Sequence, residues 1–136
     1  MPAPHAFKLR VYFEDTDAGG IVYYANYLKF IERARTEMLR DIGAEHSGMI
    51  ESTNTQFVVQ NASLNYLKPA KLDDELVVKS KLLEMGAASL RLQQEVVRGD
   101  VVLVSAEIGL ACVNEKGAPC RIPTAIKDKI EAALNV

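Results

Sequence analysis

The sequence predicts an α+β fold in which an antiparallel sheet packs on one long helix. Apolar residues recur at three- and four-residue steps after about Val22, the spacing of a buried helix face. Strand-like segments then follow one another up to Val113, with short turn-like separators between them. Strands clustered in this way favour an antiparallel sheet. The 136 residues are predicted to form a single domain, 1–136, long enough to bury its own core.

The elements are predicted in the following order. Phe7 to Phe13 alternates as a strand, with both phenylalanines, Leu9 and Val11 on one face. The long helix runs from about Val22 to Gly43, which suits a left-handed helix cap. Residues 44–54 are polar and are expected to form a connecting loop.

Four strands in a meander are predicted after this loop, at residues 56–67, 75–84, 89–98 and 101–113. Pro69 ends the first of them, in which Val58 is expected to share a face with Ala62, Leu64 and Tyr66. In the last strand Val102 is expected to face the same way as Val104, Ala106, Ile108, Leu110 and Cys112. A short helix is predicted from about Thr124 to Leu134.

Composition and charge exclude several classes of protein. Hydrophobic residues make up 49% of the chain and charged residues 25%, as in ordinary globular proteins. The net charge of -2 and the lack of a polybasic tract predict that the protein binds neither nucleic acid nor a charged membrane surface. The most apolar run, residues 101–113, contains Glu107 and is too short to span a bilayer, so no integral membrane association is expected.

The cysteines and histidines show no zinc-ligand spacing, so no metal is predicted. The opening residues, MPAPHAFKLR, lack the apolar stretch of a secretory signal. Cys112 and Cys120 are therefore expected to be free thiols in a reducing cytoplasm, with Cys112 in the core.

An acidic, glycine-containing segment, EDTDAGG at residues 14–20, precedes the long helix and is the candidate functional loop. It begins like a calcium-binding EF-hand loop, but Gly19 stands where the loop needs an oxygen ligand and Asn26 stands where it needs glutamate, so calcium binding is not predicted. The phosphate-binding glycine motifs are absent, and the close carboxylates of Asp15 and Asp17 would repel a phosphate.

The residues of this loop fit acyl-transfer chemistry better than they fit calcium or phosphate binding. Amides that open a helix have no internal partner and can hold an oxyanion, while glycines let a substrate approach the backbone. A neighbouring carboxylate can activate water or attack directly, and a thioester needs no serine or cysteine nucleophile. The competing interpretation is that these residues only cap the helix.

Two segments carry a resemblance to a known family. They are YFEDTDAGGIVYYANYLKFIERARTEML, from Tyr12 to Leu39, and FVVQNASLNYLKPAKLDDEL, from Phe57 to Leu76. Both resemble the hotdog-fold acyl-CoA thioesterases of the 4-hydroxybenzoyl-CoA thioesterase-like superfamily, and most closely the Tol-Pal-associated branch. The resemblance implies a hotdog fold, with a curved antiparallel sheet wrapped around the central helix. It also implies homodimers joined edge to edge, often paired into tetramers, with active sites at the dimer interface.

The resemblance assigns roles by position. The catalytic aspartate falls on Asp17, and Asp15 would orient the loop. The oxyanion donor, a backbone N–H at the start of the central helix, falls on Tyr24. The substrate would pass Gly19, Gly20 and Val22, and Val58 and Val59 on a strand of the second copy. No cofactor is implied, because coenzyme A is part of the substrate.

The sequence departs from its apparent relatives at two places. Many members of the Tol-Pal-associated branch carry histidine where this chain has Tyr24, so we expect this protein to depend less on a histidine. The basic residues that follow the third strand in the aromatic-specific enzymes are replaced by Met-Gly-Ala-Ala at 85–88. No CoA phosphate site or aromatic preference is therefore carried over.

The predicted function is hydrolysis of an acyl-CoA to a free acid and CoA, with Asp17 as general base or nucleophile. One alternative is a hotdog hydratase or dehydratase, but such chemistry favours a histidine, and His5 and His46 are poorly placed for it. The other alternative is a non-enzymatic acyl-CoA-binding or scaffold protein. No motif sets the length of the acyl chain.

Overall fold

The computed structural model describes residues 4–134. Its strands are β1 (His5–Arg10), β2 (Gln56–Tyr66), β3 (Glu75–Met85), β4 (Ser89–Arg98) and β5 (Val101–Val113). Its helices are α1 (Asn26–Asp41), α2 (His46–Thr53) and α3 (Thr124–Leu134). Within these residues no helix combines the length and apolar character needed to cross a membrane.

The five strands form one antiparallel sheet in the order β1-β3-β4-β5-β2. The predicted strands are confirmed, but only β3, β4 and β5 form a meander. β2 pairs with β5 at one edge instead of with β3, its neighbour in sequence. The prediction was wrong here because the pattern of a strand reports its buried face but not which strand lies beside it.

The long helix α1 lies across one face of the sheet, over β1, β3 and β4. It buries an apolar stripe that consists of Tyr27, Phe30, Ile31, Ala34, Met38 and Leu39. Two polar side chains, Gln94 of β4 and Ser80 of β3, are buried beneath it: Gln94 donates to the Ile31 carbonyl at 3.1 Å and to Ser80 Oγ at 2.9 Å. The Gln94 amide oxygen accepts from Arg35 at 3.2 Å, so this buried amide is paired at both of its polar atoms.

α1 begins at Asn26, four residues later than the predicted start. Val22 is held in extended conformation by bridges to Thr16 and by its N–H bond to the Ala70 carbonyl, at 2.9 Å, so the chain cannot coil there. The predicted stop is confirmed. Gly43 has φ +79°, its N–H bonds the Arg40 carbonyl, and the Ala44 N–H reaches the Leu39 carbonyl at 2.7 Å. This is the Schellman arrangement of a helix end.

Gly43→Ala is expected to lower the free energy of unfolding by about 1 kcal/mol, because a Cβ disfavours the left-handed conformation. Gly48→Ala is the matched control. Gly48 lies inside α2, and a Cβ there would make only an ordinary 3.6 Å contact with Glu45, so the same change should stabilise slightly. Thermal unfolding followed by circular dichroism measures both. Equal Tm shifts for the two variants would contradict the assigned role of Gly43.

Three further predictions were wrong. Residues 46–53 form α2 rather than a loop; Met49 is its single buried apolar side chain, too weak a signal to show a helix face. Phe13 does not extend β1 but lies in a 3₁₀ turn, Phe13–Asp15, with its side chain 82% exposed.

The third error concerns the faces of two strands. Between Val59 and Asn61 the pairing of β2 shifts by one residue, so Gln60 is a bulge. Val59, and not Val58, therefore shares the helix-facing side with Ala62, Leu64 and Tyr66. A similar shift next to Val102 turns it away from the face that carries Val104.

Candidate active site

The candidate functional loop is a small hairpin that precedes α1. Thr16 and Val22 form an antiparallel bridge at its base. The Asp17 N–H bonds the Ile21 carbonyl at 2.9 Å, and the Gly20 N–H bonds the Asp17 carbonyl at 3.0 Å. Gly20 has φ +79°, which makes the sharp reversal possible without strain. The loop is therefore a defined turn that fixes the backbone of Asp17.

The Asp17 carboxylate is exposed, and one of its two oxygens accepts a hydrogen bond. Its Oδ1 accepts the Gly19 N–H at 2.8 Å, whereas Oδ2 has no hydrogen-bond partner within residues 4–134. A Cβ at Gly19 would lie 3.2 Å from Oδ1 and would crowd the carboxylate. The turn thus orients one oxygen and leaves the other available to a water molecule or a substrate.

Asp15 organises the chain around the loop. Its Oδ2 accepts the Tyr12 N–H at 2.8 Å. Its carbonyl accepts the Tyr23 N–H at 3.0 Å and the Asn26 side-chain amide at 2.9 Å. These bonds tie the 3₁₀ turn to the start of α1, as expected for an aspartate that positions the loop.

The amides at the start of α1 differ in what they bond. The N–H groups of Asn26, Tyr27 and Leu28 donate to carbonyls three residues earlier, in a tight first turn. The N–H groups of Tyr24 and Ala25 have no acceptor in the described part of the chain. The free amides are therefore those of the turn just before the helix, and one of them is the predicted donor, Tyr24.

A cavity of about 290 Å³ lies beside this turn. It is lined by Ile21, Val22, Tyr24, Tyr27, Tyr66, Leu67, Lys68 and Pro69. The Tyr66 ring packs edge-on against the Tyr24 ring, with centroids 6.0 Å apart, and lies 5.8 Å from the Tyr27 ring. Most of the wall is apolar, and Lys68 supplies the one side-chain charge among these lining residues.

The Tyr27 hydroxyl is bonded to the chain that follows Pro69, another residue that lines the cavity. It accepts the Ala70 N–H at 3.0 Å, and the side chain is only 3% exposed. Burial raises the pKa of Tyr27 above its usual value, and it also raises the pKa of Tyr66. Both phenols are therefore neutral near pH 7, which keeps the cavity suited to an uncharged group.

A partly buried ion pair between Asp74 and Arg98 supports the segment that follows Pro69. The Asp74 carboxylate accepts Arg98 Nη1 at 2.7 Å and the Lys71 N–H at 2.8 Å. Burial alone would raise the pKa of Asp74. The bonds from Lys71 and Arg98 outweigh it, so the pKa lies below its usual value. The charged carboxylate thus holds the 69–74 segment behind the cavity.

This depressed pKa predicts an acid-dependent contribution to stability. A carboxylate with a lower pKa in the folded state stabilises the fold above its unfolded pKa, and the contribution disappears as pH falls through the folded pKa. Asp74→Asn should therefore lower Tm at pH 7 and reduce the fall in Tm below about pH 4. Arg98→Met should likewise lower Tm at pH 7 and reduce the fall in Tm in acid. Identical acid profiles for wild type and Asp74→Asn would contradict this account.

The structure brings some of the predicted residues together. Asp17, Gly19 and Gly20 lie on the hairpin, and Val22 and Tyr24 line the cavity. Val58 and Val59 lie near the start of β2 and do not line it. The contribution of Tyr66 could not be predicted from the sequence, because only the position of β2 at the sheet edge brings its end to the start of α1.

His5 lies away from this site, and the described residues offer no metal-binding cluster. His5 Nε2 pairs with Asp41 Oδ2 at 2.8 Å, at the opposite end of α1. The side chain of His46 lies outside the described part of the structure. Among the described residues, no group of three or more His, Cys, Asp or Glu side chains has metal-binding geometry.

The sequence matches the family described as Thioesterase superfamily, 4HBT, over residues 19–105. The chain belongs to the thioesterase superfamily. Among the superfamily's named members, the protein called acyl-CoA thioesterase YbgC of Haemophilus influenzae is 41% identical over 123 residues, 90% of each chain. The acyl-CoA thioester hydrolase YbgC of Escherichia coli O6:H1 is 40% identical over 122 residues, 88% of this chain and 90% of its own.

Comparison with solved structures confirms the predicted hotdog fold. A probable thioesterase from Bartonella henselae superposes with a TM-score of 0.85 at 37% identity, over 89% of this chain and all of its own. A hypothetical protein from Aquifex aeolicus gives a TM-score of 0.88 at 31% identity, over 93% of this chain and 99% of its own. The free amides, the exposed carboxylate and the cavity therefore belong to a thioesterase-superfamily domain.

Proposed function

We propose that this protein hydrolyses acyl-CoA thioesters, with the Asp17 carboxylate and the Tyr24 amide at the reacting carbonyl. One observation carries the proposal. A carboxylate oxygen and two backbone amides, all without a hydrogen-bond partner among residues 4–134, lie close to the two ends of one short hairpin, beside an apolar cavity. The relatives named as acyl-CoA thioesterases support the choice of substrate class.

The chemistry needs one base and one oxyanion donor. Either Asp17 takes a proton from water as its oxygen attacks the thioester carbon, or the carboxylate attacks directly and forms an anhydride that water then opens. In both routes the carbonyl oxygen gains negative charge that the Tyr24 N–H can stabilise, and the C–S bond breaks to release the CoA thiolate. Neither route requires a metal or a cofactor.

The acyl group is proposed to occupy the cavity. Val22, Tyr27 and Tyr66 offer it apolar contacts, and the neutral phenols avoid the cost of burying charge beside it. The loop residues Gly19 and Gly20 are exposed and leave the backbone accessible to the pantetheine arm. The charged nucleotide end of CoA would stay outside the cavity.

The active unit is proposed to be a homodimer, alone or paired into a tetramer. Within the described part of the chain, β2 has a neighbouring strand only on its β5 side, although it is 11 residues long. Its helix-facing side carries Val59, which is 51% exposed, and Tyr66, which is 48% exposed. A long apolar edge strand of this kind is normally covered, and a second copy would bring Val58 and Val59 towards the first copy's loop.

An assay of thiol release over a panel of acyl-CoA esters tests the proposal and its rivals. Wild-type protein should release free CoA from at least one class of acyl-CoA with multiple turnovers. A hydratase would instead consume an enoyl-CoA without releasing thiol, and none of the residues that line this cavity is the histidine such chemistry favours. Saturable binding of acyl-CoA without any turnover would indicate a binding or scaffold protein.

A further inference from the structure

The two cysteines lie side by side at the end of β5 that is remote from the cavity. Cys112 pairs with Phe57 at the start of β2, whereas Tyr66, which lines the cavity, pairs with Val104 near the other end of β5. Cys112 is fully buried and Cys120 is partly exposed. Neither thiol has a role in the proposed hydrolysis.

The backbone places these cysteines opposite each other. After β5 the chain turns back, so that Val113 bridges Pro119 and the Cys120 N–H bonds the Cys112 carbonyl at 3.0 Å. Opposed residues of an antiparallel pair have Cα atoms roughly 4.5–5.5 Å apart, within the roughly 4.4–6.8 Å that a disulfide requires. The two Sγ atoms are already only 3.6 Å apart.

We propose that Cys112 and Cys120 are a peroxide-reactive pair that closes into an intramolecular disulfide, with Cys120 as the thiol that reacts first. Its partial exposure gives hydrogen peroxide access to Cys120, whereas Cys112 is shielded. The sequence alone predicted two free thiols in a reducing compartment. Disulfides that form there are usually transient and redox-sensing, which fits a reversible pair.

The reaction balances in two steps. The Cys120 thiol gives up its proton, its sulfur attacks one peroxide oxygen and the O–O bond breaks; the departing hydroxide takes up that proton and leaves as water, so that Cys120 becomes a sulfenic acid. The Cys112 sulfur then attacks the Cys120 sulfur, the S–O bond breaks, and the hydroxide leaves with the Cys112 proton as water. Two thiols and one peroxide thus give one disulfide and two waters.

The environment of Cys112 supports this order of events. Burial, followed by the contact with Cys120, raises the pKa of Cys112 to about 11. Its thiol is therefore protonated near pH 7 and a poor first nucleophile towards peroxide. It lies close enough to trap the sulfenic acid before a second peroxide oxidises Cys120 further.

The disulfide would fasten the turn at 113–119 and the short segment that leads to α3. Because a crosslink restricts the unfolded chain, oxidised protein should unfold at a Tm higher by roughly 5 °C. Thioester hydrolysis should be unchanged, because the pair is remote from the loop and the cavity. Failure of the proposed hydrolysis would therefore not affect this inference.

Mass spectrometry of the full-length protein after treatment with equimolar hydrogen peroxide tests the pair. The intact mass should fall by about 2 Da and return on reduction with dithiothreitol. Trypsin cleaves after Lys116, between the two cysteines, so the oxidised protein should yield peptide 99–116 joined to peptide 117–121. Disulfide-linked dimers, or mass gains of about 16 or 32 Da without the linked peptide, would overturn the proposal.

Two variants separate the roles of the thiols. Cys120→Ser should leave Cys112 unreacted at the same peroxide dose. Cys112→Ala should instead accumulate a sulfenic acid at Cys120, trapped by dimedone. Equal oxidation of Cys112 in wild type and in Cys120→Ser would show that Cys120 is not the first site of attack.

Discussion

Asp17→Asn is expected to lower the turnover of acyl-CoA hydrolysis by at least ~100-fold, because acid–base and nucleophilic groups typically contribute 10²–10⁴-fold. The amide can still accept the Gly19 N–H bond that Oδ1 accepts at 2.8 Å, so the turn should keep its shape. It cannot take a proton from water or form an anhydride. Steady-state thiol release measures the effect, and an unchanged Tm shows that the fold is intact.

Glu14→Gln is the matched control for this experiment. Glu14 is the other exposed carboxylate beside the hairpin, and its side chain has no hydrogen-bond partner within residues 4–134. The substitution removes the same charge a few residues away, so it should leave turnover within about twofold, since an exposed charge has only a weak effect at a distance. If Asp17→Asn retained more than a tenth of wild-type turnover, the chemistry would lie elsewhere in the molecule.

The role of Asp17 as base or nucleophile needs a separate measurement. Single turnover in water enriched in oxygen-18 labels the Asp17 carboxylate only if an anhydride forms there and water attacks the Asp17 carbonyl. Label confined to the released acid, with no trappable anhydride, indicates that Asp17 activates water. Because Oδ1 is held by the Gly19 N–H and Oδ2 has no hydrogen-bond partner among the described residues, Oδ2 is the oxygen expected to react in either case.

The second large effect is expected from Ala62→Lys on β2. Ala62 is exposed and lies on the helix-facing side of the edge strand, so its replacement should not disturb the isolated protomer. In a homodimer joined at β2, the ammonium would be forced into an apolar interface without a partner. We expect monomers in analytical ultracentrifugation and a fall in turnover of at least ~100-fold, because each site would lose the second copy's contribution.

Ser63→Lys supplies the control on the same strand. Ser63 is the next residue, is also exposed, and faces the opposite side of the sheet, where it pairs with Glu107. A lysine there can reach water or that carboxylate, so the variant should keep the wild-type edge-to-edge association and turnover. A dimeric and active Ala62→Lys protein would refute an active dimer joined at this edge.

The sequence was most informative where one local pattern decides the structure. The bounds of β4, β5 and α3 follow from alternation, turn residues and helix spacing, and Gly43 ends α1 because few other residues adopt its backbone conformation. The loop residues Asp15 and Asp17 could be singled out because two acids and two glycines exceed what one helix cap requires. Their resemblance to a family signature then separated the positioning acid from the candidate catalyst.

Other features depend on contacts that no local pattern reports. The start of α1 is set by the Val22 bond to the Ala70 carbonyl, nearly fifty residues away in sequence. The face of Val58 is set by a bulge at Gln60, and a single inserted residue reverses every side chain beyond it. α2 forms although Met49 is the only one of its described side chains that is buried, since packing against the rest of the molecule decides its conformation.

The sequence by itself determined the α+β class, the order of the strands along the chain and the position of the candidate functional loop, because periodicity and backbone-restricted residues are local properties. Tertiary structure alone decided that β2 lies beside β5, that its end at Tyr66 closes a cavity at the start of α1, and that Cys112 meets Cys120. These long-range contacts depend on which surfaces pack together with the lowest free energy, and that is a property of the whole chain and not of any one segment.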